Sequence, residues 1–216
     1  MAQVTTGSIK DAYLDAARSA LHLLREPEVA AAWDNPSALP EFSVGGLAAH
    51  LAHQVLAAPA TLDAPADDPP ISLLDHYARV TWVGAEPLAE VNVGIRTHAD
   101  QLAGEGAAAI AERVLVAIDE LTDRLPAEPD DRPVRMAAGP WTLRLDDYLI
   151  TRMMEIAVHA DDLAVSVGAA TPDLPANVLE PVLSLLTGLA VRRHGQPAVL
   201  RALSRAERAP AAINAL

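Results

Sequence analysis

The sequence contains no cysteine among its 216 residues. Disulfide bonds and thiolate zinc clusters are therefore excluded, and any reactive thiol has to come from another molecule. Basic residues are also few, because 16 Lys and Arg are outnumbered by 29 Asp and Glu, which gives a formal net charge of -13. Binding to a nucleic-acid backbone depends on many Lys and Arg that displace counterions, so we expect no nucleic-acid partner.

Long apolar runs and an amino-terminal targeting segment are absent as well. The first residues lack a basic stretch followed by an apolar one, and the best later apolar segment, VLEPVLSLLTGLAV, is short and interrupted by Glu180 and Pro181. We therefore expect a cytoplasmic protein with no membrane partner. The length, with half of the composition hydrophobic, is enough for one domain, or one domain with a small appendage.

Several signatures of common enzyme classes are missing. The chain has no G-x-x-x-x-G-K-[ST], no G-x-G-x-x-G after a strand and no G-x-S-x-G, which argues against nucleotide, dinucleotide and α/β-hydrolase sites. The zincin motif H-E-x-x-H is absent, and the paired Glu-x-x-His motifs of di-iron bundles are not supplied.

Apolar residues recur at three- and four-residue steps through most of the chain, which predicts a mainly α-helical protein. The first helix is predicted over residues 8–33, and Ser43 is a suitable N-cap for a second helix over residues 44–62. Two or more helices are predicted within residues 71–125. Residues 169–216 predict a Pro-bounded helix followed by a shorter one.

The segment VRMAAGPWTLRL has a Gly-Pro turn signal between two short mixed runs, which predicts a small β-hairpin. The helix after it is predicted to be capped by Asp146 or Asp147 and to end at Gly168. The predicted architecture is an up-and-down four-helix bundle with a short helical C-terminal extension.

One predicted helix carries a polar stripe among apolar residues. Positions three and four residues apart share a helix face, so one face of this helix carries Arg152, Glu155, His159, Asp162 and Ser166. Such a stripe is either a solvated surface or one wall of a buried site.

Histidine on a second helix favours a metal site. The segment GGLAAHLAHQVL places His50 and His53 three residues apart on an apolar helix, and Glu155 and His159 lie four apart on the other. Two imidazoles and one carboxylate form the ligand set of a catalytic zinc that keeps an open position. Asp162, near His159, can accept the other ring N–H of a ligating histidine; the alternative for Asp162 is a solvated carboxylate.

The segments SVGGLAAHLAHQVL and DDYLITRMMEIAVHADDLAVSVG, about a hundred residues apart, resemble the mycothiol-dependent maleylpyruvate isomerase N-terminal domains of the DinB-like superfamily. The resemblance covers most of residues 8–168, and the C-terminal end resembles that of short actinobacterial members. It implies a DinB-like bundle that holds a divalent metal, usually zinc. The implied ligands are His50, Glu155 and His159, with His53 beside the site rather than on the metal.

The resemblance also implies a reaction in which the metal activates the thiol of mycothiol for isomerisation of, or S-transfer to, a small electrophile. Family isomerases carry a larger C-terminal domain, whereas only residues 169–216 follow the bundle here. We therefore expect two units, residues 1–168 as the metal-binding bundle and residues 169–216 as an extension packed on it. The expected state is a monomer or a homodimer.

A carboxylate substrate would need arginine near the metal, because a guanidinium binds a carboxylate through two parallel hydrogen bonds. Arg152 is best placed by its spacing from Glu155, Arg79 and Arg96 are further possibilities, and His98 is a possible pocket residue. The alternative for each arginine is a surface ion pair. The remaining histidines are expected at the surface or its boundary, namely His22, His76 and His194.

Three functional hypotheses follow from the sequence. The first is a metal-dependent enzyme that uses a low-molecular-weight thiol. The second keeps the metal but uses bound water or Lewis-acid polarisation, as in a hydrolase or a biosynthetic enzyme. The third is a non-catalytic helical bundle that binds a ligand and whose histidines form hydrogen bonds in the core.

Overall fold

The computed structural model describes residues 8–66 and 68–216, and this part of the chain is mainly helical. Its α-helices are α1 Ile9–Leu24, α2 Pro27–Ala31, α3 Val44–Leu56, α4 Ala58–Asp63, α5 Leu73–Arg79, α6 Glu90–Ala103, α7 Ala107–Arg124, α8 Leu145–Val167, α9 Ala176–His194 and α10 Gln196–Ser204. Its strands are β1 Pro133–Arg135 and β2 Thr142–Arg144.

Four of the longer helices form a bundle around the core. Helices α1 and α3 each pack against both α7 and α8. The bundle interior is filled by side chains that are completely buried, among them Leu47, Ile110, Leu121, Leu149 and Met153. Outside the bundle, α6 packs on α3, α9 packs on α8 and α1, and α10 packs on α9.

Helix ends explain where the bundle helices start and stop. The hydroxyl of Ser43 accepts a hydrogen bond from the backbone N–H of Gly46, which confirms the predicted N-cap of α3. Helix α8 ends at Gly168 with φ 70° and ψ 21°, as predicted. A left-handed backbone at this position favours glycine because it has no Cβ.

Two predicted helices are wrong in their length. The helix predicted over residues 8–33 is two helices, since Pro27 begins α2 after a break at Arg25 and Glu26. The helix predicted over residues 44–62 is also divided, because Pro59 lies in the first turn of α4. In both places the proline ring removes a backbone donor and starts a new helix rather than continuing the old one.

The predicted caps of α8 are also wrong, because the helix begins one residue after β2, and Arg144 occupies the N-cap position. Asp146 and Asp147 lie in the first turn instead, where carboxylates interact favourably with the positive end of the helix dipole.

The predicted hairpin is confirmed: β1 and β2 are antiparallel, with Val134 opposite Leu143. Within the described residues, no helix is long and apolar enough to cross a membrane.

Replacing Gly45 with alanine is expected to destabilise the protein by about 1–3 kcal/mol, because overpacking forces neighbouring groups to move. A Cβ at this position would lie 2.6 Å from Cε2 of Trp33. The Trp33 indole donates to the carbonyl of Ala103 at 3.3 Å, so its displacement would also loosen α6. Urea unfolding measures the loss.

The matched control is Gly94→Ala on α6, where a Cβ meets nothing within 4 Å. Alanine has the higher helix propensity, so this variant is expected to gain up to about 1 kcal/mol. Equal stability of the two variants would contradict the close packing of Trp33 on Gly45.

Candidate metal centre

Two bundle helices bring three ionisable side chains to one point. Helix α3 contributes His50, and α8 contributes Glu155 and His159, one turn apart. Their inward direction follows from the apolar residues that surround them in sequence, such as Leu51 and Ile156, which are fully buried in the core. One ligand atom from each of the three lies within 4.8 Å of the others.

The distances within this cluster suit a small divalent cation. Nε2 of His159 lies 3.2 Å from Oε2 of Glu155, and Nε2 of His50 lies 3.9 Å from the same oxygen. Tetrahedral zinc with bonds of about 2.0–2.1 Å keeps its ligand atoms about 3.3 Å apart. The donor set of two imidazole nitrogens and one carboxylate oxygen therefore fits zinc with only small movements.

Asp162 fixes the orientation of His159. Its Oδ2 lies 3.0 Å from Nδ1 of His159, on the side of the ring away from Glu155. With Nδ1–H donating to Asp162, the lone pair of a neutral His159 lies on Nε2, toward the cluster. Ser166, the last member of the polar stripe, donates to the backbone carbonyl of Asp162 at 2.6 Å.

When no metal is present, His50 and His159 have different protonation states because their surroundings shift their pKa values in opposite directions. Burial, followed by the charge on His159, lowers the pKa of His50 to about 3. Burial also acts to lower the pKa of His159, but hydrogen bonds to Asp162 and Glu155 outweigh it and raise the pKa to about 9. Glu155 stays ionised, because the His159 contact overcomes the effect of burial and lowers its pKa to about 2. A metal at this point would displace the proton on His159.

An arginine borders the cluster and is held in place from α3. Nη1 of Arg152 donates to Oε1 of Gln54 at 2.6 Å, and Nε2 of Gln54 donates to the carbonyl of His50 at 2.9 Å. The Tyr13 hydroxyl donates to the backbone carbonyl of Gln54 at 3.0 Å. Gln54 and Tyr13 are not among the residues predicted from the sequence. The spacing of four residues between His50 and Gln54 was the available signal for Gln54, since it places both on one face of α3.

The other residues named from sequence lie outside the cluster. His53 packs edge-to-face against His98 of α6, with ring centroids 4.9 Å apart, and His98 is exposed. Arg79 is exposed and lies over the Trp141 ring at 5.9 Å. Arg96 donates to the carbonyl of Pro87 at 2.7 Å.

The expectation that His76 lies at the surface is wrong, because only 3% of this residue is exposed. The hairpin places Trp141 against it, and the indole N–H donates to Nδ1 of His76 at 3.0 Å. This contact needs a neutral acceptor nitrogen. Burial, and next the charge of Arg152, lower the pKa of His76 to about 4, which keeps the ring neutral at pH 7.

Acid is therefore expected to weaken the fold through His76. Its pKa is lower in the folded protein than the ordinary value of 6.5, so the unfolded chain binds more protons and stability falls as the pH is lowered from 6.5 toward 4. Urea unfolding at pH 7 and pH 5 should show a smaller loss for His76→Gln, which keeps an acceptor but does not titrate. Equal losses in the two proteins would contradict a buried neutral His76.

Removing the Asp162 carboxylate is expected to reduce metal affinity by about 10–100-fold, because His159 loses the partner that orients its ring. Competition with a chromophoric chelator measures the affinity of Asp162→Ala. The matched control is Asp161→Ala, whose exposed carboxylate instead accepts from Thr171 at 2.6 Å. Unchanged affinity in Asp162→Ala would show that its contact with His159 has no part in metal binding.

The fold and this cluster define a helical bundle in which two histidines and one glutamate from facing helices form a donor set suited to a divalent metal. Residues 14–164 match the model of the family described as the mycothiol maleylpyruvate isomerase N-terminal domain. The chain belongs to this family, as the two sequence segments predicted.

One solved structure agrees on the fold. The crystal structure of the mycothiol-dependent maleylpyruvate isomerase is 19% identical, and the alignment covers 89% of this chain and 72% of that chain with a TM-score of 0.51. A mutant of that isomerase matches with the same identity and coverage and a TM-score of 0.48. No curated protein sequence matches the chain. At this identity the likeness shows the fold, so the predicted DinB-like helical architecture with a small hairpin is confirmed.

Proposed function

We propose that this protein is a zinc-dependent enzyme that activates a low-molecular-weight thiol, mycothiol, for isomerisation of, or S-transfer to, a small electrophile. The observation that carries the proposal is the convergence of His50, Glu155 and His159 in a family named for mycothiol dependence. The absence of cysteine from the chain agrees with a thiol taken from a second molecule.

The ligand set supports an active rather than a structural metal. Two neutral imidazoles and one carboxylate leave a divalent ion with net positive charge and an open position. When bound there, zinc would hold a thiol as its thiolate near neutral pH. Asp162 keeps the Nε2 lone pair of His159 directed to the cluster.

Arg152 is the group that we assign to an anionic substrate near the metal. Arg152 is partly exposed, and Gln54 and the Tyr148 ring hold its guanidinium in place, with the ring centroid 5.6 Å from Cζ. A guanidinium fixed in this way loses little conformational freedom when it binds a carboxylate. It therefore orients a negatively charged electrophile without serving as a proton donor, since arginine stays protonated.

The extension after Gly168 completes the proposed domain organisation. We infer that residues 169–216 form a support for the bundle, because α9 packs against both α1 and α8 and Asn177 donates to Asp15 at 3.0 Å. Since α8 carries two of the three proposed ligands, this packing stiffens one wall of the centre.

Calorimetric titration with mycothiol tests the proposed function. Protein purified without a histidine tag is expected to contain about one zinc per chain, and the zinc-loaded form is expected to bind mycothiol while the metal-stripped form is not. Less than about 0.2 divalent ion per chain would overturn the metal assignment. Stoichiometric zinc without mycothiol binding would instead favour an enzyme that uses bound water or Lewis-acid polarisation.

A further inference from the structure

The loop between α2 and α3, residues 32–43, is held in shape by backbone hydrogen bonds. The N–H of Ser37 donates to the carbonyl of Phe42 at 2.9 Å. The N–H of Val44, the first residue of α3, donates to the carbonyl of Asn35 at 2.8 Å. These bonds close the α2–α3 loop on itself and on the first turn of α3, so Phe42 has a fixed position where this helix begins.

Glu41, in the same loop, has a backbone conformation that favours glycine. Its φ is 67°, and no other non-glycine residue of 8–66 or 68–216 has a positive φ. A left-handed backbone brings Cβ close to the following carbonyl oxygen, so it persists only where the surrounding contacts require it. The next residue is Phe42, and the turn at Glu41 therefore sets the direction in which the Phe42 side chain leaves the loop.

The Phe42 side chain packs against the proposed ligand His50. Their ring centroids are 5.9 Å apart, with 51° between the ring planes. Phe42 also lies over the first turn of α3, because a Cβ on Gly46 would be 3.5 Å from its Cδ1. His159 packs edge-to-face against the same imidazole, with centroids 4.7 Å apart. The ring of His50 therefore contacts two other rings, one from the loop and one from α8.

His50 differs from His159 in the contacts that orient its ring. Asp162 lies at hydrogen-bond distance from Nδ1 of His159, whereas neither ring nitrogen of His50 has a hydrogen-bond partner within the described part of the chain. Its Nε2 is 3.9 Å from Oε2 of Glu155, which is beyond hydrogen-bond distance. Metal-binding histidines are normally oriented by a partner on the second nitrogen. For His50, the described residues supply ring packing instead.

The α2–α3 loop also contacts the helix that carries the other two proposed ligands. The N–H of Ala38 donates to Oγ of Ser166 at 2.8 Å, and this hydroxyl donates to the carbonyl of Asp162. The loop is thus bonded to α8 one turn beyond the residue that orients His159. Its two contacts, one on α3 and one on α8, hold Phe42 in place relative to both ligand helices.

We propose that Phe42, held by the α2–α3 loop, is the positioning residue that fixes the ring of His50. The inference deepens the proposed function and rests on it to the extent that His50 is a metal ligand. Phe42 acts through His50, because it keeps Nε2 on the side of Glu155 before any ion binds. A ligand that is oriented in advance loses less conformational freedom on binding.

NMR spectroscopy of the metal-free protein tests the orientation of His50 directly. In the wild type, the ring protons of His50 are expected to show NOEs to both Phe42 and His159, as the centroid distances require. In Phe42→Ala, the NOEs between His50 and His159 are expected to weaken, since the freed side chain populates further rotamers. Undiminished NOEs between the two histidines in this variant would overturn the proposal.

Zinc affinity, measured by competition with a chromophoric chelator, is expected to fall at least about tenfold in Phe42→Ala, the usual effect of losing a group that orients a ligand. Phe42→Tyr keeps the ring and is expected to retain the wild-type affinity. The visible spectrum of the cobalt-loaded protein, which reports ligand geometry, should change in Phe42→Ala and not in Phe42→Tyr. Wild-type affinity in Phe42→Ala, or an equal loss in Phe42→Tyr, would contradict the role of the ring.

The matched control is Leu62→Ala, a truncation in α4, which follows α3 and contributes no residue to the cluster. Leu62 is buried, so this variant is expected to lower the urea midpoint but to keep the zinc affinity and the cobalt spectrum of the wild type. An equal loss of affinity in this control would mean that Phe42 acts only through stability. A wild-type protein without zinc would overturn the proposed function, while the NMR experiment would still decide the role of Phe42.

Discussion

The variant His159→Ala is expected to lose stoichiometric metal binding, with an affinity at least about 100-fold below that of the wild type, because one of three ligand groups is removed. Glu155 also loses its closest partner, at 3.2 Å, although 13% of its side chain remains exposed. The pKa of Glu155 should then rise, since the His159 hydrogen bond is the largest influence that lowers it. Metal analysis after dialysis measures the loss.

His98→Ala is the matched control for this substitution. His98 lies on α6, is exposed, and contacts His53 rather than the cluster. The control should retain the wild-type metal content and affinity. Full metal content in His159→Ala would remove this residue from the ligand set and with it the proposed centre.

Truncation of Leu149 to alanine is expected to lower the free energy of unfolding by about 2–5 kcal/mol, since it removes buried methyl groups and leaves a cavity. Leu149 is completely buried on α8, the helix that packs against both α1 and α3. The position precedes Glu155 by six residues, so a shift of α8 at this level would also disturb the metal centre. Urea unfolding of the metal-free and zinc-loaded proteins measures both effects.

The matched control is Val165→Ala on the same helix. Because 61% of Val165 is exposed, this variant also places alanine in α8 but removes little buried surface. Its effect on stability should stay within about 0.5 kcal/mol. A loss in Leu149→Ala no larger than in Val165→Ala would mean that α8 does not form the centre of the bundle core.

Helical periodicity explains why Glu155 and His159 could be chosen from sequence, whereas the choice of His50 came from the family resemblance. Glu155 and His159 lie four apart, and the apolar residues between them require the helix to be buried, so their side chains converge without any knowledge of the fold. To complete the ligand set, the facing helix α3 had to supply one histidine from a segment of small apolar residues. His50 and His53 were both possible on that basis, and the structure places His50 at the cluster and His53 beside α6.

Contacts between distant segments could not be predicted in the same way. His76 is buried because a hairpin more than sixty residues later in the sequence places Trp141 on it. No sequence pattern near His76 predicts this contact. Pro27 and Pro59 divide helices whose apolar periodicity continues across the break, so the pattern alone overestimated their length. The role of Gln54 also depends on a distant segment, because Arg152 reaches it from the facing helix.

X-ray absorption spectroscopy of the zinc-loaded protein with mycothiol tests the central claim most directly. Without mycothiol, the zinc should have only nitrogen and oxygen neighbours at about 2.0–2.2 Å, as His50, Glu155 and His159 require. Addition of mycothiol should introduce one sulfur neighbour at about 2.3 Å. A zinc environment that contains only nitrogen and oxygen at saturating mycothiol would contradict thiol activation at this centre.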